Sequence, residues 1–211
     1  ADAIYRGFQH ATGEILGWVN SDDLLIPGCL EKTGRYFADH AEEEWVVGGT
    51  VLIDEEGKLL SSPKGDAKCN VGRRITFHQL LYSGCCFNQP ASFWRRNAFY
   101  DVGGFDRLLR FCFDYDLFLR LAQRRSSGNI RDFLACFRIH SESKSKTMRD
   151  IKIVEDELLW GKFGRYRKAI CFQKTVAAWY RYCVRFEAYI IRLKLRLGFL
   201  EIPVPIMPIK H

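Results

Sequence analysis

Two adjacent carboxylates, Asp22 and Asp23, follow directly on an apolar run in GEILGWVNSDDLLIPG, residues 13–28. Neighbouring ionised carboxylates repel and lose solvation unless a positive charge lies between or beyond them. At the end of a strand in an open α/β sheet, side chains meet the ligand crevice. Oxygen ligands there suit Mg²⁺ or Mn²⁺ and, through the ion, phosphate oxygens. The pattern has a plainer explanation too, as a solvent-facing helix-start signal ahead of Pro27. A second acidic pair, Asp114 and Asp116 in FDYDLFLRLA, offers a general base. Acids at the first turn of a helix are equally explained by free N–H groups and the positive dipole end. Arg120 stands four residues after Asp116, at ion-pairing spacing. His140 ends an apolar run ahead of the polar stretch HSESKSKT. It is either a structural histidine or a contact to metal or phosphate.

The elements that would position these groups are readable from periodicity and punctuation. Helices are expected over Ala3–Ala11, Gly28–Asp39, Ile75–Tyr82, Asn97–Val102, Asp114–Arg124 and onward from about Met148. Pro27 starts the second helix, and Leu30, Gly34 and Phe37 share one of its sides. Strands are expected over Ile15–Val19, Glu44–Asp54, the return after Glu55-Glu56-Gly57, the stretch after Pro90, and Ile130–Ile139. Residues 62–74 read as loop. Helices alternating with strands indicate a layered α/β domain.

The net charge of +7 is unevenly placed. Residues 161–211 hold 11 Lys+Arg against 2 Asp+Glu, whereas residues 1–160 hold 21 against 23. The basic character therefore belongs to the tail, which argues against a nucleic-acid-binding core. The 8 cysteines form no CxxC pair and read as reduced thiols of a cytosolic protein rather than a zinc site. The sequence has no run of 18 apolar residues.

ATGEILGWVNSDDLLIPGCL resembles the family 2 glycosyltransferases with the GT-A fold, in which A-x-G-E-x-I, an acidic metal motif and P-G-x-L follow one another. NQPASFWRR, VGGFD, FDYDLFLRLA and FRIHSESKS come after it in that family's order, so the resemblance covers roughly residues 1–150. It implies a GT-A, Rossmann-like mixed sheet with flanking helices. It also implies an inverting transferase that uses a nucleotide-sugar donor, a UDP-sugar by expectation, and a glycan or lipid-linked acceptor of the cell envelope. Asp22 and Asp23 fall on the motif that binds Mg²⁺ or Mn²⁺ and the ribose and diphosphate of the donor. Asn20 stands where many members carry Asp, as a neutral hydrogen-bonding neighbour. Asp114 matches the general base, with Phe113 in place of the usual Glu before it. His140 matches a histidine near metal and diphosphate, and Arg138, Ser143 and Lys144 would add phosphate contacts. Gln89 and Trp94 match the sugar and acceptor side of the cleft, although a tryptophan in a strand equally suits a core. Asp106, after the Gly103-Gly104 break, would face the acceptor.

The family's nucleobase-binding first half has no counterpart here. This leads to the expectation that the first αβ units are missing and that residues 1–150 are the later part of a catalytic domain. Residues 151–211 are then a helical basic tail. Within it Lys174, Arg181, Arg185, Arg192 and Arg196 fall on one helical stripe, with Phe172, Trp179, Phe186 and Leu193 opposite. Such a helix suits an anionic membrane surface, placing the protein at the cytoplasmic face of the membrane. It equally suits packing on the domain or on a partner. Two other functions stay open: a non-catalytic remnant acting as a membrane-binding or interaction module, and a nucleotidyltransferase. The second has no Gly-rich basic loop to support it.

Overall fold

The computed structural model describes residues 2–60 and 73–164. The amphipathic pattern of residues 168–197 lies outside them, as does most of the expected 62–74 loop.

The chain forms a mixed five-stranded sheet with helices on both faces, the α/β class expected. Its elements are α1 (Asp2–His10), β1 (Ile15–Leu16), β2 (Leu24–Leu25), α2 (Cys29–Asp39), β3 (Trp45–Ile53), α3 (Phe77–Ser83), β4 (Ser92–Arg95), α4 (Arg96–Asp101), α5 (Phe113–Arg124), β5 (Gly128–Arg138), α6 (Lys144–Thr147) and α7 (Arg149–Lys162). The sheet order is β1-β4-β3-β5-β2. β3 runs parallel to β5, and the other pairings are antiparallel.

β3 is central and buried along its whole length. Successive side chains of a strand face opposite sides, and here each side finds its own core. Trp45 and Val47 join Trp94 in a large cluster under α1, α3, α5 and α7, while Val46 joins Phe93 and Leu134 under α2. The aromatic stack is dense: Phe8 lies 5.2 Å from Phe99, and Trp45 lies 6.0 Å from Phe118. Burying side chains of this size contributes about 1.5–3 kcal/mol each.

Three expectations change. The strand expected over residues 15–19 ends at Leu16, because the chain leaves β1 there and crosses the sheet before pairing with β5 as the unexpected β2. In α2 the inward residues are Cys29, Thr33 and Phe37, and Leu30 is exposed. The core does not end at residue 150: Leu159 of α7 is 2% exposed and packs into the large cluster, so α7 is part of the same body. Among the described residues no helix is long and apolar enough to cross a membrane.

The β3–β5 pairing is close enough to exclude a side chain. A Cβ built on Gly48 would sit 2.4 Å from Leu134 Cδ1. Gly48→Ala should therefore cost about 1–3 kcal/mol through overpacking. Urea unfolding measures this, and an unchanged midpoint would contradict the packing described.

Candidate active site

The acidic turn is made by a crossing. β1 and β2 lie at opposite edges with three strands between them. Four inter-strand spacings of ~4.8 Å amount to roughly 19 Å. The eight steps from Leu16 to Leu24 reach at most ~29 Å when fully extended. The segment therefore has slack enough for a turn at Ser21–Asp22, closed by Asp23 N donating to the Asn20 carbonyl at 3.1 Å, and it is held by groups from the sheet it crosses. Gln89 Nε2 donates to the carbonyl of Trp18 at 2.7 Å. Arg138, the last residue of β5, donates from Nε to the carbonyl of Asp22 at 2.9 Å and from its backbone N–H to Asp23 Oδ1 at 2.9 Å. Its Nη1 donates to the carbonyls of Asp54 and Glu55 at 2.7 and 2.9 Å.

These contacts give the two acids different environments. Asp23 is 5% exposed and turned inward, with Oδ2 accepting from Asn20 Nδ2 at 3.0 Å. Burial raises its pKa from 3.8 to about 6, against the lowering effect of the Arg138 and Asn20 hydrogen bonds. Asp22 is half-buried, and its Oδ2 lies 2.9 Å from His140 Nε2. The two acids expected to share a metal thus sit in different settings. Asp22 and His140 present an accessible oxygen–nitrogen pair, while Asp23 braces the turn.

Among the described residues no three His, Cys, Asp or Glu side chains are grouped to hold a metal ion. The pair nevertheless fits the class. A Mg²⁺ or Mn²⁺ ion is commonly held by one or two protein groups, with water and substrate phosphates filling the shell. Ser143 and Lys144 follow at the start of α6, Lys144 exposed and Ser143 half-buried. Asn20 is exposed at the same acidic turn.

Three expected contact residues are structural instead. Arg138 is 3% exposed, and its Nε and Nη1 donors are taken up by three backbone carbonyls. Trp94 is fully buried, packed 6.0 Å from Phe8 and 5.5 Å from Trp18, so no sugar can reach its ring. Gln89, 8% exposed, holds the crossing segment rather than an acceptor. Asp106 is half-buried, and its Oδ1 accepts from its neighbour Leu108 N at 3.0 Å.

Asp114 is in the first turn of α5, half-buried. Beside it Phe113 stacks on Trp18 at 5.9 Å, tying the start of α5 to the stem of the acidic turn. Asp116 is fully buried, with Arg120 Nε at 2.8 Å, the pairing expected from its i+4 spacing. Its other oxygen accepts from Lys162 at 2.7 Å, a partner the sequence did not reveal.

Comparison with known proteins adds the following. Residues 1–103 match the model of the family described as glycosyl transferase family 2. An uncharacterized glycosyltransferase of Rickettsia conorii is 28% identical over 167 residues, covering 76% of this chain and 26% of that protein. One of Rickettsia typhi is 26% identical over 166 residues, covering 76% of this chain and 50% of its own length. The chain thus spans a quarter to a half of these relatives. The crystal structure of S. aureus TarS superposes with a TM-score of 0.49 at 14% identity, over 72% of this chain and 26% of that one.

The brace role of Asp23 has a signature in pH. Its folded-state pKa lies above the ordinary value, so the stability it contributes is present at low pH and is lost as pH rises through about 6. Between pH 4 and 7 the wild type should lose on the order of 2–3 kcal/mol of unfolding free energy relative to Asp23→Asn. Denaturant unfolding across that range supplies the difference curve, and a flat curve would show that Asp23 is not the buried acid.

Proposed function

Residues 1–103 belong to glycosyl transferase family 2, and from that premise we propose that the protein moves a sugar from a nucleotide-diphosphate donor to an acceptor hydroxyl, inverting the anomeric carbon. The observation that carries this reading furthest is the meeting of Asp22 and His140 across 118 residues of chain. It puts a carboxylate and an imidazole side by side at a turn whose neighbouring segment offers the hydroxyl of Ser143 and the ammonium of Lys144. Those groups suit the diphosphate of a donor, a UDP-sugar by expectation.

In this proposal Asp22 and His140 hold a Mg²⁺ or Mn²⁺ ion. When bound, that ion would offset negative charge on the departing diphosphate. Asp114 takes the proton of the acceptor hydroxyl as the acceptor oxygen forms its bond to the anomeric carbon. The bond from that carbon to the diphosphate oxygen breaks, and its electron pair leaves on the phosphate. One displacement inverts the centre, so no carboxylate nucleophile is needed. The acceptor is a cell-envelope glycan or a lipid-linked sugar. Asp106, half-buried on the loop ahead of α5, is the remaining candidate to meet it. The basic stripe from Lys174 to Arg196, outside the described residues, supports a peripheral place on the inner face of the cell membrane.

In the full-length protein Asp114→Asn should lower transfer by about 10²–10⁴-fold while donor binding, followed by calorimetry, is retained. Transfer at the wild-type rate would remove Asp114 from the mechanism. Chelation should abolish transfer and either Mg²⁺ or Mn²⁺ should restore it. The membrane placement is checked by pelleting with anionic phospholipid vesicles: removing residues 168–211 should release the protein, and equal pelleting would sink the anchor.

A further inference from the structure

Glu155 of α7 is 6% exposed. A buried carboxylate is costly unless its oxygens find donors. Glu155 finds three, all of them backbone groups. Oε1 accepts from Arg110 N at 2.7 Å, and Oε2 accepts from Phe111 N at 2.9 Å and Cys112 N at 2.7 Å. These N–H groups run up to Cys112, the N-cap residue of α5. The N-cap residue Cys112 supplies no side-chain cap of its own. A carboxylate from another helix therefore pins the three residues that lead into α5, its N-cap Cys112 included, and lies at the positive end of the α5 dipole.

The same helix grips α5 a second time. Lys162 Nζ donates to Asp116 Oδ1 at 2.7 Å, while Arg120 holds Asp116 Oδ2 and reaches the carbonyl of Val102. The Cys112 thiol also donates to Asp156 Oδ1 at 3.4 Å. Asp114 lies between residues 110–112 and Asp116, the two places that α7 holds. A side chain at the first turn of a helix points where that turn's backbone aims it.

We propose that Glu155 is a positioning residue for the transfer reaction: by gripping residues 110–112 it sets the start of α5 and thereby the aim of Asp114 at the acceptor hydroxyl. This rests on the reading of Asp114 as the general base. Glu155 does not touch substrate and moves no proton. Its effect is on the fraction of time that Asp114 spends in reach.

The test is a double-mutant cycle in the full-length protein. Glu155→Gln keeps the shape, removes the charge and leaves one acceptor too few. It should lower kcat by about 10- to 100-fold, the scale of a misplacement of about 1 Å caused from outside the chemistry, with KM for the donor unchanged. Placed on Asp114→Asn, the same change should cost nothing further, because groups acting as one unit are non-additive. Amide exchange should quicken at residues 110–114 and hold elsewhere in the core. Lys162→Gln, at the more exposed contact, should show the same pattern in weaker form and carries the test if Glu155→Gln does not fold. Full additivity with Asp114→Asn, or an unchanged kcat, overturns the positioning role while leaving the base in place. Wild-type activity in Asp114→Asn overturns the base reading and the positioning role together.

Discussion

The buried guanidinium of Arg138 is the contact on which the acidic turn depends. It sits at the end of β5 and donates to the carbonyls of Asp22, Asp54 and Glu55, while its backbone N–H serves Asp23. Carbonyl groups in a crossing segment have no regular ladder to pair with, and burying them unpaired costs free energy comparable to a lost hydrogen bond. Arginine suits the task because its planar fork offers five fixed donors and stays charged at any working pH. The same side chain ties two separate stretches of chain, at Asp22 and at Asp54–Glu55, to one strand end. His140 follows only two residues later, so the geometry of the Asp22–His140 pair is inherited from this anchor.

With the turn fixed, chemistry divides between two adjacent acids through environment alone. Asp23 faces inward and accepts hydrogen bonds, while Asp22 faces a half-open space beside an imidazole. The turn closed by Asp23 N on the Asn20 carbonyl separates the two neighbours, one carboxylate facing inward and the other facing His140. The Asn at position 20 is consistent with this arrangement. A third carboxylate pointing at buried Asp23 would add repulsion, whereas the Asn20 amide donates to it.

Much of this was legible in the sequence, and the reasons for the remainder are physical. The longer helices showed through their periodicity, and the Asp116–Arg120 pair through its spacing, because both are local, whereas the short α6 (Lys144–Thr147) lay hidden in a polar stretch. β2 was hidden because two residues carry no periodic signal and its partners, Ala135 and Cys136, lie more than a hundred residues away. Trp94 looked like a platform for sugar because tryptophan serves stacking and packing equally well. Its burial is decided by Phe8, Trp18 and Phe99, which arrive from three other elements. Arg138 looked like a phosphate ligand for a similar reason, since carbonyls and phosphates ask for the same donors. Glu155 gave no signal at all: a glutamate inside an amphipathic helix reads as surface until the helix is packed.

The family match ends at residue 103, whereas Asp114, Arg138, His140 and Glu155 all lie beyond it. What joins the two parts is a set of long-range contacts made by charged or aromatic side chains. Phe113 stacks on Trp18, Arg138 holds the turn at Asp22, and His140 meets the Asp22 carboxylate. Each contact links a residue inside the matched segment to one outside it, and each bears on a group proposed to do chemistry. The later part of the chain therefore does more than extend the sheet. It sets which of two acids faces the open space and how the helix bearing Asp114 is seated against the acidic turn. A change in residues 104–162 would for that reason act on the acidic motif itself, even though the motif's own sequence was intact.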